Sequence, residues 1–244
     1  MRLLLKILSP IRDLIPKSLR DYYRYVRYSL FKNRSRFYGK SQQDIFTEIY
    51  QSNYWGDSES ISGMGSNLEQ TAAIRKELKI LFEKFSITSI LDIPCGDFNW
   101  MKEVDLQKIA YTGADIVEAI VHQNQEKYAQ KAQIRFELLN LTEDSLPAVD
   151  LILCRDCLVH FSYEDFFKAL QQIKTSQSKY LLTTTFTNPN RYNFDIQTGD
   201  WRVLNLEKAP FHFPKPIDLI NEQCSEGNGA YSDKCLGLWR IDQL

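Results

Sequence analysis

The reading turns on Ser89-Ile-Leu-Asp-Ile-Pro-Cys-Gly-Asp-Phe-Asn-Trp100. An apolar run ends in an acid, Asp92, and then breaks at Pro94-Cys95-Gly96. Ile87 to Ile93 therefore reads as a short buried strand closed by a turn. Gly96 can take a positive φ, and its small size lets a ligand approach the backbone. The loop also opens toward a helical start, whose N–H groups lack partners.

Outward from this loop the chain alternates. A helix is predicted over 68–85, with Leu68, Ala72, Leu78, Leu81, Phe82 and Phe85 mostly on one face and Asn67 as its N-cap. Strands are predicted at 109–116, 134–141, 148–156 and 179–186, with helices at 119–131 and 163–174 between them. Residues 41–85 start helical and pass through a polar Gly/Ser stretch at 56–66. The segment from 187 is rich in turn residues and ends in a closing strand, "KCLGLWRIDQL". Strands separated by helices of this length imply βαβ units and a parallel sheet covered on both faces. The expected fold is α/β, a Rossmann-like, doubly wound, seven-stranded and mostly parallel sheet with an N-terminal helical extension.

The bulk properties narrow the classes. The chain has 244 residues, 43% hydrophobic and 25% charged, with net charge -1. That suits a soluble globular protein with one ample domain and an extra segment, or with two small domains. The average hides an asymmetry. Residues 1–40 hold eleven Lys/Arg against two Asp, and the remainder holds nineteen Lys/Arg against twenty-nine Asp/Glu. We therefore divide the chain into a basic amphipathic extension, 1–40, and a main domain, 41–244. The extension lacks a long apolar core and a small-residue cleavage site, so it makes a poor secretory signal. It is a candidate for peripheral membrane or protein contact, or a helical cap. An acidic main domain argues against nucleic acid as a partner. Five scattered cysteines suit reduced thiols and a cytoplasmic location, with membrane association as the alternative that the basic extension offers.

In an open α/β sheet, ligands bind outside the carboxyl ends of the strands. "LDIPCGDFNW" sits there after the first strand. No Gly-Lys-Ser/Thr follows it, so it is not a mononucleotide P-loop, and it lacks the second and third glycines of the dinucleotide fingerprint. A zinc or redox site is disfavoured, because Cys154 and Cys157 form the chain's one CxxC pair. Asp115 ends the second strand, 23 residues after Asp92, and a carboxylate there can accept two bonds from a ribose diol. Ile116 beside it is placed to lie against a base, and Asn140 offers donor and acceptor to a base edge. Each residue alone has a plain structural reading as a cap, turn or loop residue. In sequence they describe a nucleoside site.

These residues resemble the class I S-adenosylmethionine-dependent methyltransferases. "ILDIPCGDF" resembles their first motif, although Pro94 and Phe98 replace two of its usual glycines. "GADI" resembles the second, "LNLTEDSLP" the third, and "VDLILCRDCLVHFS" the strand that faces the transferred methyl. The resemblance covers about residues 50–244. It implies S-adenosyl-L-methionine as cofactor, held by Trp55, Gly63, Asp92, Pro94, Cys95, Gly96, Asp115, Ile116, Asn140, Leu141, Cys154 and Arg155, with no metal assigned. Asp156 and His160, four residues apart, are the candidates for a base or a base–orienter pair; the structural alternative is that His160 only packs or caps the next helix. "NYWGDSESISGMGSN" (53–67) reads as a lid over the cofactor, or else a flexible loop. Between 192 and 213, aromatics (Tyr192, Phe194, Trp201, Phe211, Phe213) alternate with polar residues. That mixture suits a carbohydrate acceptor, and equally a hairpin packed on the sheet. The stretch resembles methyltransferases of surface-glycan biosynthesis. The expected reaction is O-methylation of a sugar hydroxyl on a glycan or its precursor. The alternatives are a small-molecule or protein N/O-methyltransferase, and a non-catalytic cofactor-binding scaffold.

Overall fold

A computed structural model describes Val26 and residues 35–244. Almost all of the basic extension, and with it the membrane or partner contact expected there, lies outside the described residues. The domain's packing begins before residue 41, because Phe37 is fully buried. A Cβ on Gly199 would stand 2.6 Å from both Phe37 and Ile45, so the extension's end and the first helix press directly onto the chain near 199.

Seven strands form one sheet: β1 (Ser89–Asp92), β2 (Ala110–Asp115), β3 (Ile134–Leu138), β4 (Leu151–Cys154), β5 (Tyr180–Phe186), β6 (Asp218–Asn221) and β7 (Lys234–Arg240). Their spatial order is β3-β2-β1-β4-β5-β7-β6. Pairing is parallel from β3 through β5, and β7 runs antiparallel to both β5 and β6. The sheet is Rossmann-like, doubly wound and mostly parallel. The strand order reverses between β1 and β4, so the crevice at their carboxyl ends is the topological switch point.

The helices are α1 (Gln42–Gln51), α2 (Ala72–Lys84), α3 (Glu118–Tyr128) and α4 (Tyr163–Thr175). The start of α4 is written in its sequence. The Ser162 hydroxyl accepts the Asp165 N–H at 3.1 Å, and Glu164 and Asp165 occupy the first turn. Phe166, Ala169 and Ile173 then bury one face. Two apolar clusters cover the two faces of the sheet, one around Ile152, Phe166 and Trp239, the other around Ile74, Leu78 and Leu153.

The differences from expectation have local causes. α2 begins at Ala72, not near 68, because Asn67 closes the preceding turn instead: its Oδ1 accepts the Gln70 N–H at 2.9 Å. β3 stops at Leu138, where Asn140 turns the chain and its N–H is taken by Asp144 at 2.7 Å. β4 stops at Cys154, and Asp156 adopts a positive φ of 51°. β6 carried no local signal. It has four residues, only Ile220 of them buried, and it exists through its pairing with β7.

Candidate active site

A cavity of about 530 Å³ opens at the carboxyl ends of β1, β2 and β4. That size holds a nucleoside-containing cofactor together with part of an acceptor. Of the residues read from the sequence, Trp55, Gly63, Asp92, Pro94, Cys95, Gly96, Asp115, Ile116, Asn140, Leu141, Arg155, Asp156 and His160 all line it. Cys154 does not. It is fully buried within the core cluster, where the strand's alternation turns its side chain away; Cys157 lines the cavity instead.

The loop after β1 is braced from below. Gly96 has φ 54°, its N–H donates to Asp115 Oδ2 at 3.1 Å, and its carbonyl accepts Asn124 Nδ2 at 2.8 Å. Phe98, where the related motif has a third glycine, keeps a glycine-like φ of 58°. Its ring packs against Tyr111, Tyr128 and Phe136 at centroid distances of 5.1, 4.9 and 5.3 Å. That aromatic packing offsets the cost of the left-handed conformation.

The polar stretch before α2 is hooked onto the same loop. Asp97 accepts the Ser60 hydroxyl at 3.0 Å and the Ile61 N–H at 3.1 Å. Glu59 accepts Asn99 Nδ2 at 2.7 Å. Ser62, Gly63 and Gly65 thereby wall the cavity above Gly96. These tying residues, Glu59, Ser60, Asp97 and Asn99, were not among the expected site residues. Their acid and amide types were visible, but a pairing 36 to 40 positions apart has no periodic signature.

The two acids at the strand tips are buried. Burial pushes Asp92 up to about 7, with the Tyr111 hydroxyl, 2.6 Å from Oδ2, and Arg155 opposing. Burial likewise raises Asp115 to about 6 against the N–H groups of Val117 and Gly96. For Asp92 the folded value lies above the ordinary one near 4. The folded state therefore binds more protons through the window from about 4 to 7, and stability falls as pH rises through it. Asp92→Asn is expected to raise the melting temperature of cofactor-free protein at alkaline pH by about 5 °C, from about 2 kcal/mol recovered. The same change should weaken cofactor binding. A melt across pH, paired with calorimetry, checks both. A variant no more stable than wild type above pH 7 contradicts the desolvation argument.

Asp156 and His160 do not bond to one another as a pair. Burial acts to raise Asp156, but Lys234 Nζ at 2.6 Å and Arg155 Nη2 at 3.3 Å hold it well below the usual carboxylate range. A carboxylate so clamped is a weak base. His160 Nδ1 lies 2.9 Å from the Asp200 carbonyl oxygen. A carbonyl only accepts, so Nδ1 carries the proton and Nε2 the lone pair. Burial pushes the imidazole down to about 4, with Asp200 and Asp156 opposing, and it is neutral at physiological pH. The Trp55 ring packs on it at 5.1 Å.

Of the five aromatics expected to form an acceptor platform, only Trp201 lines the cavity. Phe194, Phe211 and Phe213 are buried, the last two against Phe166 in the core, and Tyr192 is exposed away from the cavity. Apolar burial on the sheet outcompeted the site for these rings. Phe186 and Tyr231 join Trp201 at the cavity wall instead.

The residues present fit S-adenosylmethionine. They give a glycine cradle that a Cβ would fill, an acid at the tip of β2, and an amide at the turn after β3. Residues 90–177 match the family profile described as a methyltransferase domain. A search of curated proteins finds no match. Among solved structures, the chain is similar to Burkholderia thailandensis 1,6-didemethyltoxoflavin-N1-methyltransferase bound to its acceptor and S-adenosylhomocysteine. The TM-score is 0.56 at 17% identity, over 81% of this chain and 86% of that one. Haemonchus contortus phosphoethanolamine N-methyltransferase 1 gives 0.56 at 12%, over 82% and 48%. The N-methyltransferase NodS of Bradyrhizobium japonicum gives 0.53 at 11%, over 72% and 98%. The methyltransferase-domain match over residues 90–177 supports an S-adenosylmethionine-dependent methyltransferase, and the solved structures share its Rossmann-like fold.

Proposed function

We propose that the protein O-methylates a sugar hydroxyl of a glycan or glycan precursor, with His160 taking the hydroxyl proton on Nε2. The observation that carries this reading is the Nδ1–Asp200 bond, which leaves a neutral imidazole with a lone pair at the cavity. An amine or carboxylate acceptor needs less help from a base; a hydroxyl gains from one. When bound, S-adenosylmethionine supplies an electrophilic methyl on a sulfonium. The chain must hold that methyl in line with the acceptor and exclude water. The Trp55 segment and α1 cover the cavity, with Phe46, Ile49 and Tyr50 in its lining. Asp156, held ionised by Lys234, is placed to accept a hydrogen bond from an acceptor hydroxyl. Trp201, Tyr231 and Phe186 offer flat apolar faces to sugar C–H groups.

Calorimetry with S-adenosylmethionine and S-adenosylhomocysteine should give saturable binding that Asp115→Ala weakens by about 100-fold, the loss of two hydrogen bonds to a buried carboxylate. Transfer of tritiated methyl to a panel of methyl glycosides should then yield an alkali-stable ether. Label appearing only on amine or carboxylate acceptors would overturn the O-methylation reading.

A further inference from the structure

Arg155, Asp156, Lys234 and Glu226 line one side of the cavity, and the buried Glu222 stands behind them; four of these five charges pair off. Arg155 Nη2 lies 2.7 Å from Glu222 Oε2, and Lys234 Nζ lies 2.6 Å from Asp156 Oδ2. Cross contacts at 3.3 Å (Arg155–Asp156) and 3.2 Å (Lys234–Glu222) close the group into a quartet. The side chains of Arg155, Glu222 and Lys234 are each 7% exposed or less. The quartet is thus neutral in formal charge, although Arg155 Nε and Glu222 Oε1 are buried without a hydrogen-bond partner.

Glu226 is the fifth group, and it makes no ion pair among the described residues. Its Oε2 contacts Cys224 Sγ at 3.5 Å. It faces the point above Gly65 at 3.9 Å, where Asp156 Oδ2 and Lys234 Nζ also converge, at 3.3 and 3.8 Å. The turn that presents it is held in an uncommon conformation: Gly227, Asn228 and Gly229 all have positive φ, at 61°, 54° and 75°. Gln70 Nε2 pins that turn by donating to Ser225 Oγ at 2.6 Å. Beside Glu226, the Trp201 and Tyr231 rings meet edge to face at 5.1 Å. Arg191 stiffens this wall from the protein side, with its guanidinium 5.9 Å from the Tyr231 ring and bonded to Asp233. One carboxylate in surplus, fixed beside apolar rings in a semi-enclosed cavity, discriminates by charge: it attracts a cation and repels an anion.

We propose that Glu226 is an acceptor-specificity residue that reads a protonated amine, so that the substrate class is an amino sugar with a free ammonium group. This rests on the sugar reading of the acceptor. The apolar rings take the sugar's C–H face, and Glu226 takes the ammonium.

The test measures binding to protein loaded with S-adenosylhomocysteine, by calorimetry at about pH 6.5, where the amines are protonated. The probes are methyl glucosaminide, methyl glucoside and methyl glucuronide. Wild type should prefer the amine over the neutral sugar by at least about tenfold and bind the uronate weakest, whereas Glu226→Gln should compress the first preference below about threefold. Glu226→Lys should turn the preference toward the uronate. Thermal melts confirm that each variant folds. Equal binding of amine and neutral sugar by wild type, or a preference unchanged in Glu226→Gln, overturns the proposal. So does a variant that loses cofactor affinity and keeps its acceptor preference, which would assign Glu226 to the cofactor. Phenethylamine against 2-phenylethanol asks the same charge question without a sugar. A preference for that amine, lost in Glu226→Gln, in a protein that binds no glycoside would keep the role of Glu226 and remove the sugar. No discrimination in either series removes the role of Glu226 and leaves the sugar reading to whether the glycosides bind at all.

Discussion

Gly96→Val is expected to abolish cofactor binding, raising the dissociation constant by more than about 100-fold (at least 2.7 kcal/mol). Two independent effects act at this position. Gly96 has φ 54°, a conformation that a β-branched residue adopts only under strain of about 1–3 kcal/mol. A Cβ there would also stand 2.1 Å from Ser62 Oγ and 3.1 Å from Ser62 Cβ. Ser62 cannot retreat freely, because Asp97 holds its neighbours Ser60 and Ile61. Valine therefore either pushes the covering segment off the cavity or flips the loop, which breaks the Gly96 N–H bond to Asp115. Titration with S-adenosylhomocysteine measures the loss, and a thermal melt separates it from unfolding. Cys95→Ala is the matching control. The thiol is buried beneath the loop and its N–H bond to Ala114 is backbone, so its removal should leave affinity within a few-fold. Near-normal binding by the valine variant would remove this loop from the cofactor site.

His160→Ala is expected to lower kcat by about 10²-fold, the low end for a general base because burial weakens the imidazole, while leaving cofactor affinity nearly unchanged. The basis is the assigned tautomer: Nδ1–H on the Asp200 carbonyl and a lone pair on Nε2. The pH profile gives a second readout. Burial pushes the imidazole down to about 4, so the base form prevails above that value and is lost only as pH falls through it. The rate should therefore show no histidine limb between about pH 6 and 8, unlike an unperturbed imidazole titrating near 6.5. Loss of cofactor affinity in step with kcat would mean that His160 serves through its packing on Trp55 alone. Full activity in His160→Ala would exclude it as the base. Asp156→Asn should also lower the rate, by breaking the quartet that keeps Lys234 and Arg155 in place. Its clamped carboxylate is not expected to contribute as the proton acceptor.

The sequence by itself determined the βαβ alternation, the loop "DIPCGDF" and the acid at the tip of the second strand. These signals are local: apolar periodicity, a turn residue that needs a positive φ, and a carboxylate at a strand end. The tertiary structure alone decided which partners these residues keep. β6 has too few buried residues to announce itself and is a strand only because β7 pairs with it. Phe194, Phe211 and Phe213 look in sequence like a ligand platform, yet the core takes them, since burial against other rings removes more apolar surface from water. Asp156 reads as a base until Lys234, 78 positions away, is found 2.6 Å from it. Charge pairing of that kind depends on where β4 ends and β7 begins in space, and no spacing along the chain encodes it. The opening loop shows the same division. Asp92, Gly96 and Asp115 were legible as a site, whereas the hooks that close it, Asp97 on Ser60 and Asn99 on Glu59, appear only once the segment before α2 is folded over them.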